Sequence, residues 1–322
     1  MTRRPRQHLP VPVISVGNLV VGGTGKTPMS MWLADHFRHQ GRRVAVLSRG
    51  YGRSSTEVSE VFLGPHLCRL AERFGDEPVL MSVKLGGAPV WVGRSRYLSG
   101  LAAIDRGGAE LLILDDGFQH WSLHRNLDLV LLDANNPFGN GWLLPLGPLR
   151  EPVEHLARAH AIILTHAEDV LKTQELQHQL HLSFADKPVF SCQYRVVAAR
   201  WGLHGPTVPW EVLRDLPVVV FAGIARPESF FRMVQALGVR VVAGFAFPDH
   251  HPYQAQDLRS VLAPFIAGDA RLLLTTEKDA VRLPAELQEK VVTLAVEVDF
   301  GEDRSRFVAF LDQGLSTAGR LH

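Results

Sequence analysis

Val11-Pro12-Val13-Ile14-Ser15-Val16-Gly17-Asn18-Leu19-Val20-Val21-Gly22-Gly23-Thr24-Gly25-Lys26-Thr27 carries an apolar, β-branched run into a glycine-rich turn, and an amphipathic segment follows. The run reads as a buried strand, and the periodicity after it predicts a helix over about 26–39 with Trp32, Leu33 and Phe37 on one side. Pro28 falls in the first turn of that helix, where a missing N–H costs nothing, and Gly41 is placed to stop it. Strand, glycine loop and helix together make a P-loop. Backbone N–H groups from Val20, Val21, Gly22, Gly23, Thr24, Gly25, Lys26 and Thr27 wrap the phosphates of a nucleoside triphosphate in such a loop. Lys26 reaches the β- and γ-phosphates, and the Thr27 hydroxyl ligates Mg²⁺. The pattern G-x-x-x-x-G-K-[ST] fails at one position, where Val20 stands in place of glycine; the doublet Gly22-Gly23 comes late in the loop instead.

Working outward, the first half alternates short apolar runs near 11–16, 44–48, 89–92, 111–115, 127–132 and 160–165 with helical patterns. That alternation predicts an α/β protein with a doubly wound, mostly parallel sheet covered on both faces. After Pro188 two strands, 190–201 and 291–299, enclose three β-then-α units: 217–222 with a helix from Pro227, 239–246 with one from about Tyr253, and 271–275 with one near Asp279. The expected organisation is a nucleotide-binding and catalytic domain over 1–188 and a smaller α/β domain over 189–322. With 46% apolar and 21% charged residues the chain is an ordinary folded protein, and its net charge of +1 gives no basic surface for nucleic acid. Cys68 and Cys192 have neither metal nor redox spacing, and no apolar run is long enough to span a bilayer. The basic start, with Arg3, Arg4 and Arg6, lacks the apolar core of a signal peptide; it reads as a solvated tail or as a contact for anionic headgroups.

Leu111-Leu112-Ile113-Leu114-Asp115-Asp116 is a buried run ending in two carboxylates at the sheet edge where the P-loop opens. One of Asp115 and Asp116 holds Mg²⁺ beside Thr27, and the spacing does not say which. Gly117 then permits a close approach to ligand, and His120 becomes a candidate phosphate or substrate contact. Gly75-Asp76-Glu77-Pro78 precedes a helical pattern, so Asp76 suits either an N-cap or a general base for an attacking hydroxyl. Arg49 and Arg53 follow the second strand, Arg94 and Arg96 the third, and Arg150 closes a rigid Pro-Leu-Gly-Pro turn. Arginine forks on glycine-rich turns grip phosphates, so a polyanionic substrate is expected beside the nucleotide. Phe247-Pro248-Asp249-His250-His251 follows a strand; adjacent side chains diverge, which favours an Asp/His hydrogen-bond pair over a metal site. Thr275-Thr276-Glu277-Lys278-Asp279 has a faint likeness to a base-reading loop but lacks the Asn-Lys-x-Asp spacing.

In family order these pieces resemble the tetraacyldisaccharide 4′-kinase family of lipid A biosynthesis: Val11–Asn18, Val21–Pro28, Ser48–Arg53, Gly75–Pro78, Asp115–His120, Pro145–Arg150, Phe247–His250 and Thr276–Asp279. Eight motifs across residues 11–283 are highly specific together. The resemblance implies ATP-dependent, Mg²⁺-assisted phosphorylation of the 4′-hydroxyl of a tetraacylated glucosamine disaccharide 1-phosphate, by two α/β domains joined by a two-stranded linker. The strands at 190–201 and 291–299 would supply that linker. It implies that Asp76 activates the hydroxyl with His250 of the other domain as partner, and that Asp115 and Asp116 position metal and phosphate. It puts Lys26 among the catalytic residues and makes Asn18, Arg49, Arg53, Arg94, Arg96, His120 and Arg150 the substrate contacts. Family members work peripherally at the cytoplasmic face of the inner membrane, with no nucleic-acid or protein partner expected. They generally carry a longer N-terminus with a hydrophobic helix; here ten residues precede the first strand, so either the chain starts late or it docks by a surface patch.

Two other readings stand beside this one. A nucleotide-switch ATPase of the ParA-like or MinD-like branch also has the late glycine pair, but that branch has an extra lysine where this chain has Val21. A P-loop kinase for another anionic small molecule fits the arginine-rich turns equally.

Overall fold

The computed structural model describes residues 6–64 and 66–318, so Arg3 and Arg4 lie outside it. The chain runs β1 (Val13–Asn18), α1 (Lys26–His39), β2 (Val44–Ser48), β3 (Ser59–Glu60), α2 (Leu67–Phe74), α3 (Asp76–Leu85), β4 (Val90–Val92), α4 (Arg96–Gly107), β5 (Leu111–Asp115), β6 (Leu127–Asp133), β7 (Ala161–Thr165), α5 (Val170–Ser183) and β8 (Val189–Ser191). It continues through β9 (Gln193–Trp201), β10 (Thr207–Val208), α6 (Trp210–Asp215), β11 (Val218–Ala222), α7 (Pro227–Ala236), β12 (Val241–Ala246), α8 (Ala255–Ile266), β13 (Leu272–Thr276), α9 (Glu277–Arg282), α10 (Ala285–Gln288), β14 (Val292–Asp299) and α11 (Arg304–Ala318).

The first sheet has the order β3-β4-β2-β5-β1-β6-β7-β8 and is parallel except at its β3 edge. Every residue of β1, β2, β5, β6 and β7 is buried, as strands covered on both faces require. Because these strands run the same way, the P-loop, Arg49, Arg94 and Asp115-Asp116 all emerge at one edge. The second sheet has the order β10-β9-β14-β13-β11-β12, parallel from β14 to β12.

The linker is a long antiparallel ribbon of β9 and β14, paired from Gln193↔Asp299 to Trp201↔Val292. Its Asp299 end reaches the first sheet, where Val298 and Phe300 join the core around α1. Two features differ from the expected boundary at 188. Strand β8 is the edge of the first sheet, not part of the second unit. Helix α11 also returns there, burying Phe307, Leu311 and Leu315 in the first core, with the Phe307 ring stacked 4.4 Å from Phe300 and edge-on to Phe190 at 5.1 Å. An i, i+4, i+8 apolar stripe needs a partner surface, and the first sheet provides it. Among the described residues no helix is long and apolar enough to cross a membrane.

Candidate active site

The P-loop is held from below and from the side. Gly25 takes the left-handed conformation (φ 83°) that starts α1. Asn18, fully buried, donates its amide to the Val20 carbonyl (2.7 Å) and the Thr24 hydroxyl (2.9 Å). Both amide hydrogens thus brace the loop from the end of β1, while the side-chain oxygen has no partner among the described residues. Val20 is buried as well, and the Val21 N–H is already donated to the Pro148 carbonyl (2.8 Å). Sequence reasoning missed Tyr194 on the linker strand β9. Its hydroxyl lies 3.3 Å and 3.2 Å from the Thr24 and Gly25 carbonyl oxygens, and no local motif announces a contact 169 residues away.

The two acids at the end of β5 diverge. Asp115 is buried and accepts a hydrogen bond from Ser30 on α1 (2.8 Å); burial, with the negative charges of Glu77 and Asp116, pushes it up to about 7. Asp116 has a positive φ (51°), which turns its carboxylate toward Arg150 (2.8 and 2.9 Å) and Lys26 (3.7 Å). Burial would raise Asp116, but Lys26 and Arg150 outweigh it and hold the carboxylate below its usual range. Among the described residues no three or more His, Cys, Asp or Glu side chains converge as a metal cage. A Thr27 hydroxyl and one buried carboxylate whose charge is underpaid fit Mg²⁺, which is held by few protein oxygens together with substrate phosphates.

Asp76 is the first residue of α3, and Gly75 (φ 96°) occupies the cap position in its place. Its Oδ1 accepts the Glu77 N–H (2.9 Å), and its carboxylate meets His250 Nδ1 of the second unit at 2.8 Å. Arg282 lies 3.6 Å away. Burial alone would raise the Asp76 pKa; the bond from His250 and the charges on Lys278 and Arg282 overcome it and keep the carboxylate below its ordinary value. The same bond raises His250 against the opposing effects of burial and Lys278. His250 adopts φ 58°, so the turn is shaped to present this ring. The expected Asp/His pair at 249–251 is therefore formed across the two units, between His250 and Asp76, and His251 pairs separately with Asp257 (2.9 Å).

The arginines form a cationic wall with an uneven surface. Arg96 is buried (5% exposed), held on the Arg94 carbonyl (3.2 Å), with its Nε finding no protein partner. Burial and then Arg49 push it down to about 10. Arg53 lies near Arg94 but spends its guanidinium on the Glu57 and Thr56 carbonyls (2.8 and 3.1 Å). Burial, Arg96, Arg125 and Arg49 push His120 down to about 4, so it is a neutral ring at physiological pH. Arg150 sits on Asp116 and Gln119 (3.2 Å), a bond to the carboxylate pair that a turn-bound arginine did not foretell. The faint base-reading likeness at 275–279 is corrected too. Asp279 is wholly buried and taken up by the Gly223 N–H (3.0 Å), Tyr253 (2.7 Å), Thr276 (2.6 Å) and Arg282.

Residues 2–316 match the family model described as tetraacyldisaccharide-1-P 4′-kinase. The chain is 52% identical over 319 residues to the tetraacyldisaccharide 4′-kinase of Syntrophobacter fumaroxidans, covering 99% of this chain and 83% of that one. It is 38% identical to the enzyme of that name from Anaeromyxobacter sp. strain K, covering 98% and 84%. Among solved structures, LpxK from Aquifex aeolicus in complex with ATP superposes with a TM-score of 0.78 at 34% identity, covering 97% of this chain and 91% of that one.

Proposed function

This chain belongs to the tetraacyldisaccharide-1-P 4′-kinase family, and on that premise we propose that it transfers the γ-phosphoryl group of ATP to the 4′-hydroxyl of a tetraacyldisaccharide 1-phosphate. The observation that carries the reading is the 2.8 Å contact between Asp76 and His250, which completes a candidate base at the sheet edge bearing the P-loop.

Asp76 accepts the proton of the sugar hydroxyl as the 4′-oxygen bonds to Pγ and the bond from Pγ to the β–γ bridging oxygen breaks, leaving ADP. Lys26 and the loop amides from Gly22 onward bind the departing phosphates. Thr27 and Asp115 are the residues to hold Mg²⁺, while Asp116, tied to Lys26 and Arg150, positions the lysine. Bound Mg²⁺ supplies neutralisation of charge on the β- and γ-oxygens. Arg49, Arg94 and Arg96, with neutral His120, face the anionic acceptor.

The same reading places the enzyme peripherally on the cytoplasmic face of the inner membrane. Its support is the turn Trp142-Leu143-Leu144-Pro145-Leu146, whose apolar side chains are exposed (Leu146 74%) within a segment, 134–149, that has no charged residue. Backbone bonds from Leu144 to Leu149 and from Leu149 to Trp142 hold the turn, which springs from beside Val21 of the P-loop. An aromatic and several leucines presented on a fixed turn suit the interface of a bilayer.

The test is transfer of labelled γ-phosphate from ATP to the purified disaccharide 1-phosphate lipid in detergent micelles, beside Asp76→Ala. Labelled lipid that vanishes with the variant is expected. ATP turnover without labelled lipid would overturn the kinase assignment.

A further inference from the structure

The mechanism leaves Lys278 unused, yet it has contacts on both sides of the active-site seam. Helix α9 of the second unit lies against α3 of the first, and three ion pairs cross between them: Glu277 to Lys84 (2.6 Å), Lys278 to Glu77 (3.0 Å) and Arg282 to Asp76 (3.6 Å). Lys278 also reaches Asp249 (3.2 Å) and, at 3.4 Å, Nε2 of His250. The Lys278 side chain is 17% exposed, so its charge is little screened by water.

We infer that Lys278 is a positioning residue for the transfer: it fixes the tautomer of His250 so that the ring donates from Nδ1 to Asp76, and it holds the two units together at that bond. An ammonium has donors only, so the Nε2 atom facing it must offer its lone pair. An ionised carboxylate has acceptors only, so the Nδ1 atom facing Asp76 must bear the proton. Two neighbours on opposite sides of the ring thus demand one tautomer. The remaining groups around the ring are the Tyr51 side chain, 5.4 Å between centroids, the Asp249 carboxylate, 3.6 Å from Nε2, and Arg282 behind Asp76. Without the Lys278 charge, Asp249 would draw a second proton onto Nε2. The resulting imidazolium would bind Asp76 as an ion pair and compete with the sugar hydroxyl for its oxygens.

This inference rests on the kinase reading, and its test separates the two. Lys278→Met and Lys278→Arg are compared with the parent by kcat and KM for both substrates across pH 6–9, and by ¹⁵N NMR of histidine-labelled protein, with His250→Gln supplying the assignment. In the parent the spectrum is expected to give a protonated Nδ1 and an unprotonated Nε2 at pH 7.5. In Lys278→Met the acid limb of kcat should move up by about one pH unit, the size of a single lost charge at this range, with KM for ATP unchanged and kcat recovered at high pH. Lys278→Arg should keep the parent limb. A parent ring protonated at Nε2 overturns the inference whatever the activity, and needs no variant to fold. A pH-independent loss in Lys278→Met also overturns it, leaving Lys278 a merely structural tie. Absence of lipid phosphorylation in the parent would remove the kinase reading while the NMR result still decided the tautomer.

Discussion

The hydroxyl of Tyr194 makes a sharp demand on the P-loop. A Cβ on Gly25 would lie 1.6 Å from Tyr194 Oη and 2.2 Å from Cζ, so Gly25→Ala cannot be accommodated unless the ring leaves. Gly25 also sits at φ 83°, where an alanine costs about 1–2 kcal/mol. Expelling the ring forfeits its hydroxyl's bond to the Thr24 and Gly25 carbonyls, about 0.5–1.5 kcal/mol. Together the substitution should weaken ATP binding by about 1.5–3.5 kcal/mol, roughly 10- to 400-fold in Kd.

A double-mutant cycle isolates the steric part. In a Tyr194→Ala background the ring is already gone, so Gly25→Ala should cost only the backbone contribution, and a coupling energy of about 1 kcal/mol should appear. The assay is titration calorimetry with ATP on the four proteins, with thermal unfolding of each to establish that all are folded. Additivity within about 0.3 kcal/mol would refute the reasoning, because the linker tyrosine would then not be supporting the loop.

Lys26→Ala should lower turnover by about 100-fold or more through lost stabilisation of the phosphate charge, measured by steady-state kinetics at saturating lipid. The Asp76–His250 tie between the two units should depend on pH in both directions. Asp76, held below its ordinary 3.8, contributes stability above that value and loses it as pH falls through its lowered pKa; His250, raised above 6.5, contributes fully below 6.5 and loses it as pH rises through its raised pKa. The protection factors of amides in α3 and α9, with the intrinsic base catalysis of exchange divided out, should therefore be larger at pH 6 than at pH 9, and Asp76→Asn should flatten the difference. Replacing Trp142, Leu143, Leu144 and Leu146 with serine should cut co-flotation with phosphatidylethanolamine–phosphatidylglycerol vesicles about tenfold while activity in detergent micelles persists.

Much of this architecture was legible because its signals are local. The glycine turn and Lys26-Thr27 mark a strand-to-helix junction, and the fully apolar runs mark strands buried on both faces. Pro227 opens α7 as placed. What escaped was set by distance along the chain. Asn18 ends β1 with nothing in its neighbourhood to announce that its amide braces Val20 and Thr24; its complete burial and those two bonds reveal it. Tyr194 and Lys278 act on residues 169 and 201 positions away, and no pattern in either neighbourhood encodes that. The arginines on the strand-end turns were visible as a group, whereas their division into buried Arg96, loop-tying Arg53 and carboxylate-bound Arg150 depends on packing. The α11 stripe was present in sequence, but the surface it seeks is the first sheet, reached only after the chain has built a second one.

The depressed pKa of Asp76 bears on how such a base works. A carboxylate held ionised by His250, Lys278 and Arg282 is a weak proton acceptor in the ground state. Phosphoryl transfer through a loose transition state does not need a strong one, because little charge has left the hydroxyl oxygen when the bond to the leaving group is already long. The proton moves late, once the new P–O bond has made the hydroxyl acidic. In the proposed role Asp76 would until then serve chiefly to orient the nucleophile, and for that an ionised, rigidly held acceptor is better than a more basic one that spends part of its time protonated. The cations that lower its pKa come from the second unit, so they act on it only when that unit is in place. Separation of the two would strip Asp76 of the bond from His250 and of the Lys278 and Arg282 charges that hold it ionised and in place.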